Sequence, residues 1–316
     1  MHAHDVPTGT RLKVAAIITS VFVVAEFLIG WWANSLALIS DAGHNLTDVA
    51  ALVLSAWAFA MASRPPDVSH TFGHYRFGVL IALINVLTLV LLAGYIFYEG
   101  YQRVIHPDPV LSGPMIVVAI IAFALNLVIA RTLHRASQHD VNVRSAFVHM
   151  AGDAASAIGV LIAGIGVMVT GSPLWDPIVS LLIGVFLLVS GWGVIQETVT
   201  ILLESTPKGI NLDNVAADIE RLPGIQRVHD LHVWSLGSDV RALSAHVALT
   251  DPDSTSQRRV TEIVCRVKQM LASRYAIAHA TLETHCCEDP DTDTYLSCDL
   301  QHINGAGHDV QHNHYH

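Results

Sequence analysis

The sequence predicts an all-α six-helix transmembrane bundle followed by a small cytoplasmic α+β domain of order α-β-β-α-β. Three observations predict it. Six apolar segments are each long enough to cross a bilayer, which takes about 20 residues. The apolar character ends at Glu204-Ser205-Thr206-Pro207, where amphipathic and alternating patterns take over. And 52% of the 316 residues are hydrophobic while 14% are charged, with mean hydropathy +0.47; a soluble domain carries about 25% charged residues. The net charge of −10 argues against a nucleic-acid partner.

The spans fall at Leu12–Ala33, Leu36–Met61, Phe77–Glu99, Pro114–Leu133, Ser145–Thr170 and Pro177–Leu203. Short-loop Lys and Arg mark the cytoplasmic side. Arg11 and Lys13 precede the first span, Arg64 and Arg76 lie between the second and third, and Arg131, Arg135 and Arg144 between the fourth and fifth. The intervening loops offer Arg103 alone, so both termini are expected in the cytoplasm of an inner (plasma) membrane protein. The first span is too long for a signal peptide and is followed by further spans.

Beyond the spans, Asn211–Leu222 reads as an amphipathic helix with Asn211 as N-cap. Val228–Leu236 and Val240–Leu249 alternate as strands around the turn Gly237-Ser238-Asp239. Ser254–Tyr275 reads as a helix and Ile277–Thr284 as a third strand. The expected organisation is therefore an N-terminal tail (1–11), a transmembrane domain (12–204), a cytoplasmic metal-binding domain (205–287) and a disordered, His-containing tail (288–316). Cys265, Cys286, Cys287 and Cys298 all fall late in the chain without C-x-x-C spacing, as expected of reduced thiols.

Two repeats carry the chemistry. His44 and Asp48 stand in the second span, His149 and Asp153 in the fifth, both as His-x-x-x-Asp. Residues four apart on a helix share a face. Ionisable groups inside a bilayer are costly and mark ion pathways or proton relays. If the two helices face each other, the four groups form an N2O2 set suited to Zn2+; Ca2+ and Mg2+ prefer all-oxygen shells. Ligands must lose protons to bind metal, so protons compete for the site. The plainer alternative is interhelical hydrogen bonding. Asp41, one turn before His44, either holds the imidazole from behind or caps the outer end of the span. Glu26, Asn85 and Asn126 read as helix–helix hydrogen-bonding groups.

Two further clusters lie outside the spans. Asp67, His70 and His74 sit between the second and third spans, either as ordinary solvated loop residues or as a labile surface metal site. His232, His246 and His285 fall on or after strands expected to pair, so the three could converge on one metal, the plainer alternative being ordinary surface histidines on a sheet; His229 and His279 look less well placed. His2, His4, His302, His308, His312, His314 and His316 lie in the ends, where they collect metal weakly or not at all.

Together these residues resemble the cation diffusion facilitator family, in particular its bacterial zinc-exporting branch. The resemblance runs to about Cys287. It is carried by Ser35-Leu36-Ala37-Leu38-Ile39-Ser40-Asp41-Ala42-Gly43-His44 through Asp48, by His70-Thr71-Phe72-Gly73-His74-Tyr75-Arg76, by His149 to Asp153, by His229-Asp230-Leu231-His232-Val233-Trp234 and by Ser244-Ala245-His246-Val247. It implies a homodimer and a cytoplasmic domain of metallochaperone-like fold. It implies export of zinc or cadmium driven by proton entry, through a transport site of His44, Asp48, His149 and Asp153. Asp67, His70 and His74 match a loop site of some members. His232, His246 and His285 match a cytoplasmic binuclear site. The chain departs from many members in having Gly78 where they carry Glu near the start of the third span. It also lacks a His-rich loop between the fourth and fifth spans, where only His134 and His139 fall.

The expected function is a proton-coupled antiporter exporting Zn2+ by alternating access, with divalent metal, protons and the lipid bilayer as partners and no enzymatic step. The alternatives are a membrane-embedded metal sensor and an intramembrane metalloenzyme. The latter would need an open coordination position and a general base.

Overall fold

In the computed structural model, residues 8–134, 141–238, 240–250 and 257–285 are described. Cys286, Cys287, Cys298, His139 and the terminal histidines lie outside them, as do residues 1–7 and 288–316 of the two expected tails. The chain forms two compact units, one of residues 1–60 and 80–196, the other of residues 61–79 and 197–316.

The first unit is the helical bundle, with helices α1 (Thr8–Trp32), α2 (Leu36–Ala62), α3 (Arg76–Ile105), α4 (Ser112–His134), α5 (Val141–Thr170) and α6 (Trp175–Leu202). Among the described residues, five of them are long and apolar enough to cross a membrane; in α1 the described side chains begin at Thr19, and the apolar stretch Thr19–Trp32 carries one charged residue, Glu26. The core comes from Ala37 and Leu38 of α2, Ile96 of α3, Met115 and Ala119 of α4, Val160 and Ala163 of α5, and Leu187 of α6. Small residues let the helices close in. A Cβ on Gly30 would stand 2.9 Å from Leu38 Cβ, and one on Gly164 2.8 Å from Ile116 Cγ1.

The start of α2 is fixed from outside its own sequence. Asp176, fully buried at the start of α6, accepts hydrogen bonds from Ser35 Oγ (2.6 Å) and the amides of Leu36 (2.7 Å) and Ala37 (3.2 Å). Arg103 lies 3.9 Å from the same carboxylate. It also donates to Glu99 at 3.0 Å and to the Asn34 carbonyl at 2.7 Å. The one basic residue of the expected outer loops is thus taken up by structural partners.

In the second unit, α7 (Leu212–Glu220), β1 (Ile225–Ser235), β2 (Arg241–Leu249), α8 (Gln257–Tyr275) and β3 (Ile277–His285) form a three-stranded sheet of order β1-β2-β3 backed by the two helices. Asn211 caps α7, its side chain accepting from Asn214 N at 3.0 Å. β1 and β2 are antiparallel, β2 and β3 parallel across α8. Val215 and Ile219 of α7 and Ile263, Val267 and Leu271 of α8 bury against Val228, Leu231, Leu243 and Val247 of the sheet.

Candidate metal centres and family membership

The His-x-x-x-Asp repeats of α2 and α5 face each other. His44 Nε2 lies 3.5 Å from Asp48 Oδ2 and 3.5 Å from Asp153 Oδ1. His149 Nε2 lies 3.2 Å from Asp48 Oδ2 and 3.7 Å from Asp153 Oδ2. The two imidazoles meet edge to face at 5.9 Å. A tetrahedral Zn2+ with arms of about 2.0–2.1 Å holds its donor atoms roughly 3.3–3.4 Å apart; one ligand atom from each of the four residues lies within 4.8 Å of the others, so the set closes on such an ion by drawing together. Asp48 Oδ2, Asp153 Oδ1 and His44 Nδ1 are buried without a hydrogen-bond partner among the described residues. Buried polar groups are normally satisfied, and exceptions need a reason; for the two carboxylate oxygens a cation supplies one.

A glycine stands immediately before His44 on α2 and before Asp153 on α5, each where a neighbouring helix packs closely. A Cβ on Gly43 would meet Leu92 of α3 at 3.1 Å, and one on Gly152 would meet Phe186 of α6 at 3.0 Å. Asp41 is buried and accepts its hydrogen bond from Ser156 of α5 rather than from His44. It ties α2 to α5 one turn from the ligands.

In the second unit, Asp67, His70 and His74 also gather. His70 Nδ1 is 3.2 Å and His74 Nε2 3.7 Å from the Asp67 carboxylate, and the rings lie 4.4 Å apart. The His70 amide, the His70 ring and the Ser69 amide hold the Asp67 carboxyl below its ordinary pKa. It therefore stays ionised and able to ligate. Phe72, within the same loop, stands edge-on to His279 of β3 at 5.3 Å.

The sheet histidines arrange differently from simple alternation. His229 pairs with His246 across the β1–β2 ladder, while His232 pairs with Ser244. Three residues of β1 thus span two of β2. The extra residue is a β-bulge at which Asp230 takes φ 49°, a region Asp tolerates better than most residues. Without the bulge His229 and His232 would point to opposite faces; with it both share the face of His246. His285 Nε2 comes 3.2 Å from His229 Nε2. His229 thus joins His246 and His285, and His232 reaches the group through Asp230, which lies 2.9 Å from His232 and 3.6 Å from His246. Glu283 stands 3.6 Å from His246. Strand alternation in the sequence hides His229, Asp230 and Glu283; the only hint was the presence of Asp at a position that could take positive φ.

Apolar helices long enough to span a membrane, two of them bearing facing His and Asp pairs, define a class of membrane protein equipped to hold a cation. The chain belongs to the cation efflux family: the family's transmembrane domain matches residues 12–203 and its cytoplasmic domain, a dimerisation domain, matches residues 207–285. It is 36% identical over 309 residues to the cation efflux system protein CzcD of Alcaligenes sp. (strain CT14), covering 96% of this chain and 94% of that one. It is 34% identical to the zinc transporter ZitB of Pectobacterium atrosepticum over 99% of this chain and 98% of the relative. It is 32% identical to a cadmium, cobalt and zinc/H(+)-K(+) antiporter of Bacillus velezensis over 97% of this chain and 98% of the relative. The family and these relatives are transporters, not enzymes, and the match to the dimerisation domain supports a homodimer.

Proposed function

We propose that the protein exports Zn2+ from the cytoplasm in exchange for protons, by alternating access around His44, Asp48, His149 and Asp153. The observation that carries this reading is the convergence of two His-x-x-x-Asp pairs on two helices, at separations near those of a tetrahedral ion. Nitrogen and oxygen donors in equal number favour Zn2+ over Ca2+ and Mg2+; Cd2+, Co2+ and Ni2+ are the nearer competitors. Protons compete with metal for imidazole and carboxylate alike, so a pH gradient can empty the site on one side and spare it on the other. The names of the zinc-transporting and antiporting relatives support the same substrate and coupling.

The distribution of Lys and Arg favours both termini on the cytoplasmic side of an inner membrane. Asp67, His70 and His74 form a labile metal site in the first cytoplasmic loop. His232, His246 and His285, with His229, form a cytoplasmic site that binds metal within the dimerisation domain.

The test is Zn2+ flux into proteoliposomes under an imposed pH gradient, wild type beside Asp153→Ala. Gradient-dependent uptake that is lost in the variant is the expected result. Tight Zn2+ binding without flux in the wild type would replace the transporter reading with that of a sensor.

A further inference from the structure

A second set of ionisable groups lies beside the metal ligands and has no part in the reading above. Glu26, in α1, is fully buried. Its Oε2 accepts the Asn45 side-chain amide at 3.3 Å, across the contact between α1 and α2. Its Oε1 is buried with no hydrogen-bond partner among the described residues. The buried Asp41 carboxyl adjoins and interacts with it. The titratable groups facing this pair from neighbouring helices are His44 of α2 and Asp153 of α5. Among the described residues no Lys or Arg forms an ion pair with either carboxyl; Arg103 serves Glu99 and Asp176, and Arg76 serves Glu204.

Two carboxyl groups packed together in an apolar surrounding, with no cation opposite, are not both ionised. Burial penalises each charge, and each penalises the other. The free Oε1 of Glu26 gives a proton somewhere to sit, and Asn45 links the pair to the turn of α2 that carries His44. A divalent ion arriving on His44 and Asp153 adds positive charge beside the pair and favours loss of its proton. Departure of the ion favours proton uptake.

We propose that Glu26 and Asp41 form a carboxyl pair that carries one exchanged proton, at a site separate from the four metal ligands. This rests on the proton-exchange reading of those ligands.

The test is infrared difference spectroscopy of the purified full-length protein at neutral pH, metal-free against Zn2+-loaded, paired with flux in proteoliposomes. The metal-free wild type is expected to show a protonated-carboxyl C=O band that weakens when Zn2+ is added. In Glu26→Gln the band is expected to be absent; Zn2+ binding and downhill Zn2+ flux persist, while acceleration by the pH gradient is reduced but not abolished, because the four metal ligands still exchange protons. Asp153→Ala keeps the band and loses its response to Zn2+. Should Glu26→Gln not fold, Asp41→Asn must show the same loss of band and the same reduction of acceleration. A band and a gradient response unchanged in Glu26→Gln, or in Asp41→Asn, overturn the proposal. A wild type whose flux ignores the gradient overturns the exchange reading itself, and the two failures are told apart because only the second appears in the wild type.

Discussion

The backbone amide of Leu36 donates to the carboxylate of Asp176 at 2.7 Å, so the helix bearing His44 and Asp48 is capped by a residue 140 positions further along the chain. Helix N-termini leave amides without intrahelical partners, and an acidic side chain satisfies them while matching the positive end of the dipole. Capping from a neighbouring helix does more than satisfy them. It fixes the height of α2 against α6, and with it the depth of His44 and Asp48 two to three turns on.

Removing that cap should weaken the bundle. Asp176→Ala leaves the Leu36 and Ala37 amides and the Ser35 hydroxyl buried without an acceptor, at a cost of about 2–3 kcal/mol. A lower melting temperature in detergent is the expected result, with reduced Zn2+ flux; Asp176→Asn, which keeps an acceptor oxygen, should lose less. Equal melting of all three proteins would show that the contact adds nothing to stability.

The cytoplasmic domain carries its own acid sensitivity. The Tyr275 hydroxyl, followed by Arg274 and Arg221, holds the Asp218 carboxyl below its ordinary pKa. The sign follows from linkage. A depressed folded-state pKa contributes stability above the unfolded value near 3.9, and that stability is lost as pH falls through the folded value. Tyr275→Phe removes the hydroxyl, so it should lower the melting temperature at pH 7 and flatten the fall on acidification below about pH 4. Parallel melting curves for wild type and variant across that range would refute the coupling.

Close approach of α1 and α2 depends on Gly30. An added Cβ would stand 2.9 Å from Leu38 Cβ and 3.1 Å from the Ile39 backbone nitrogen, and backbone does not yield as a side-chain tip does. Gly30→Ala should therefore destabilise by about 1–3 kcal/mol. It should also disturb the Glu26–Asn45 contact one turn away. Gly78, with nothing within 4 Å of an added Cβ, is the control: Gly78→Ala should melt with the wild type. Thermal unfolding of the two variants side by side decides between local overpacking and a general intolerance of added volume.

The bundle and the facing of its His and Asp residues were readable in the sequence because their signals are local. A span is one apolar run, and His44 with Asp48 or His149 with Asp153 are i, i+4 pairs whose common face follows from helix geometry. Asp67, His70 and His74 gather for the same reason, within eight residues of one loop. What could not be read depends on distant partners. Nothing near Asp176 announces that it caps α2, and Asp41 finds Ser156 rather than the neighbouring His44 because α5 packs against its face. The strands were placed correctly, but the register within β1 was not, since one residue at Asp230 changes which side chains share a face.

That bulge yields the last prediction. His229 lies between His246 and His285, with ring centroids 5.3 and 4.8 Å away, whereas His232 is joined through Asp230. Burial, then the neighbouring His285 and His246, hold His229 below the ordinary histidine pKa. Its folded-state pKa lies under the unfolded value near 6.5, so the imidazole is neutral at pH 7 and ready to ligate, and the fold loses stability as pH drops through that value. In a background of Asp153→Ala, which removes one of the four ligands proposed for transport, His229→Ala should reduce calorimetric Zn2+ binding at pH 7 as much as His246→Ala and more than His232→Ala. Chelation should lower the melting temperature of the parent more than that of His229→Ala. If His232→Ala alone abolishes binding while His229→Ala retains it, the bulge does not organise the cytoplasmic ligands.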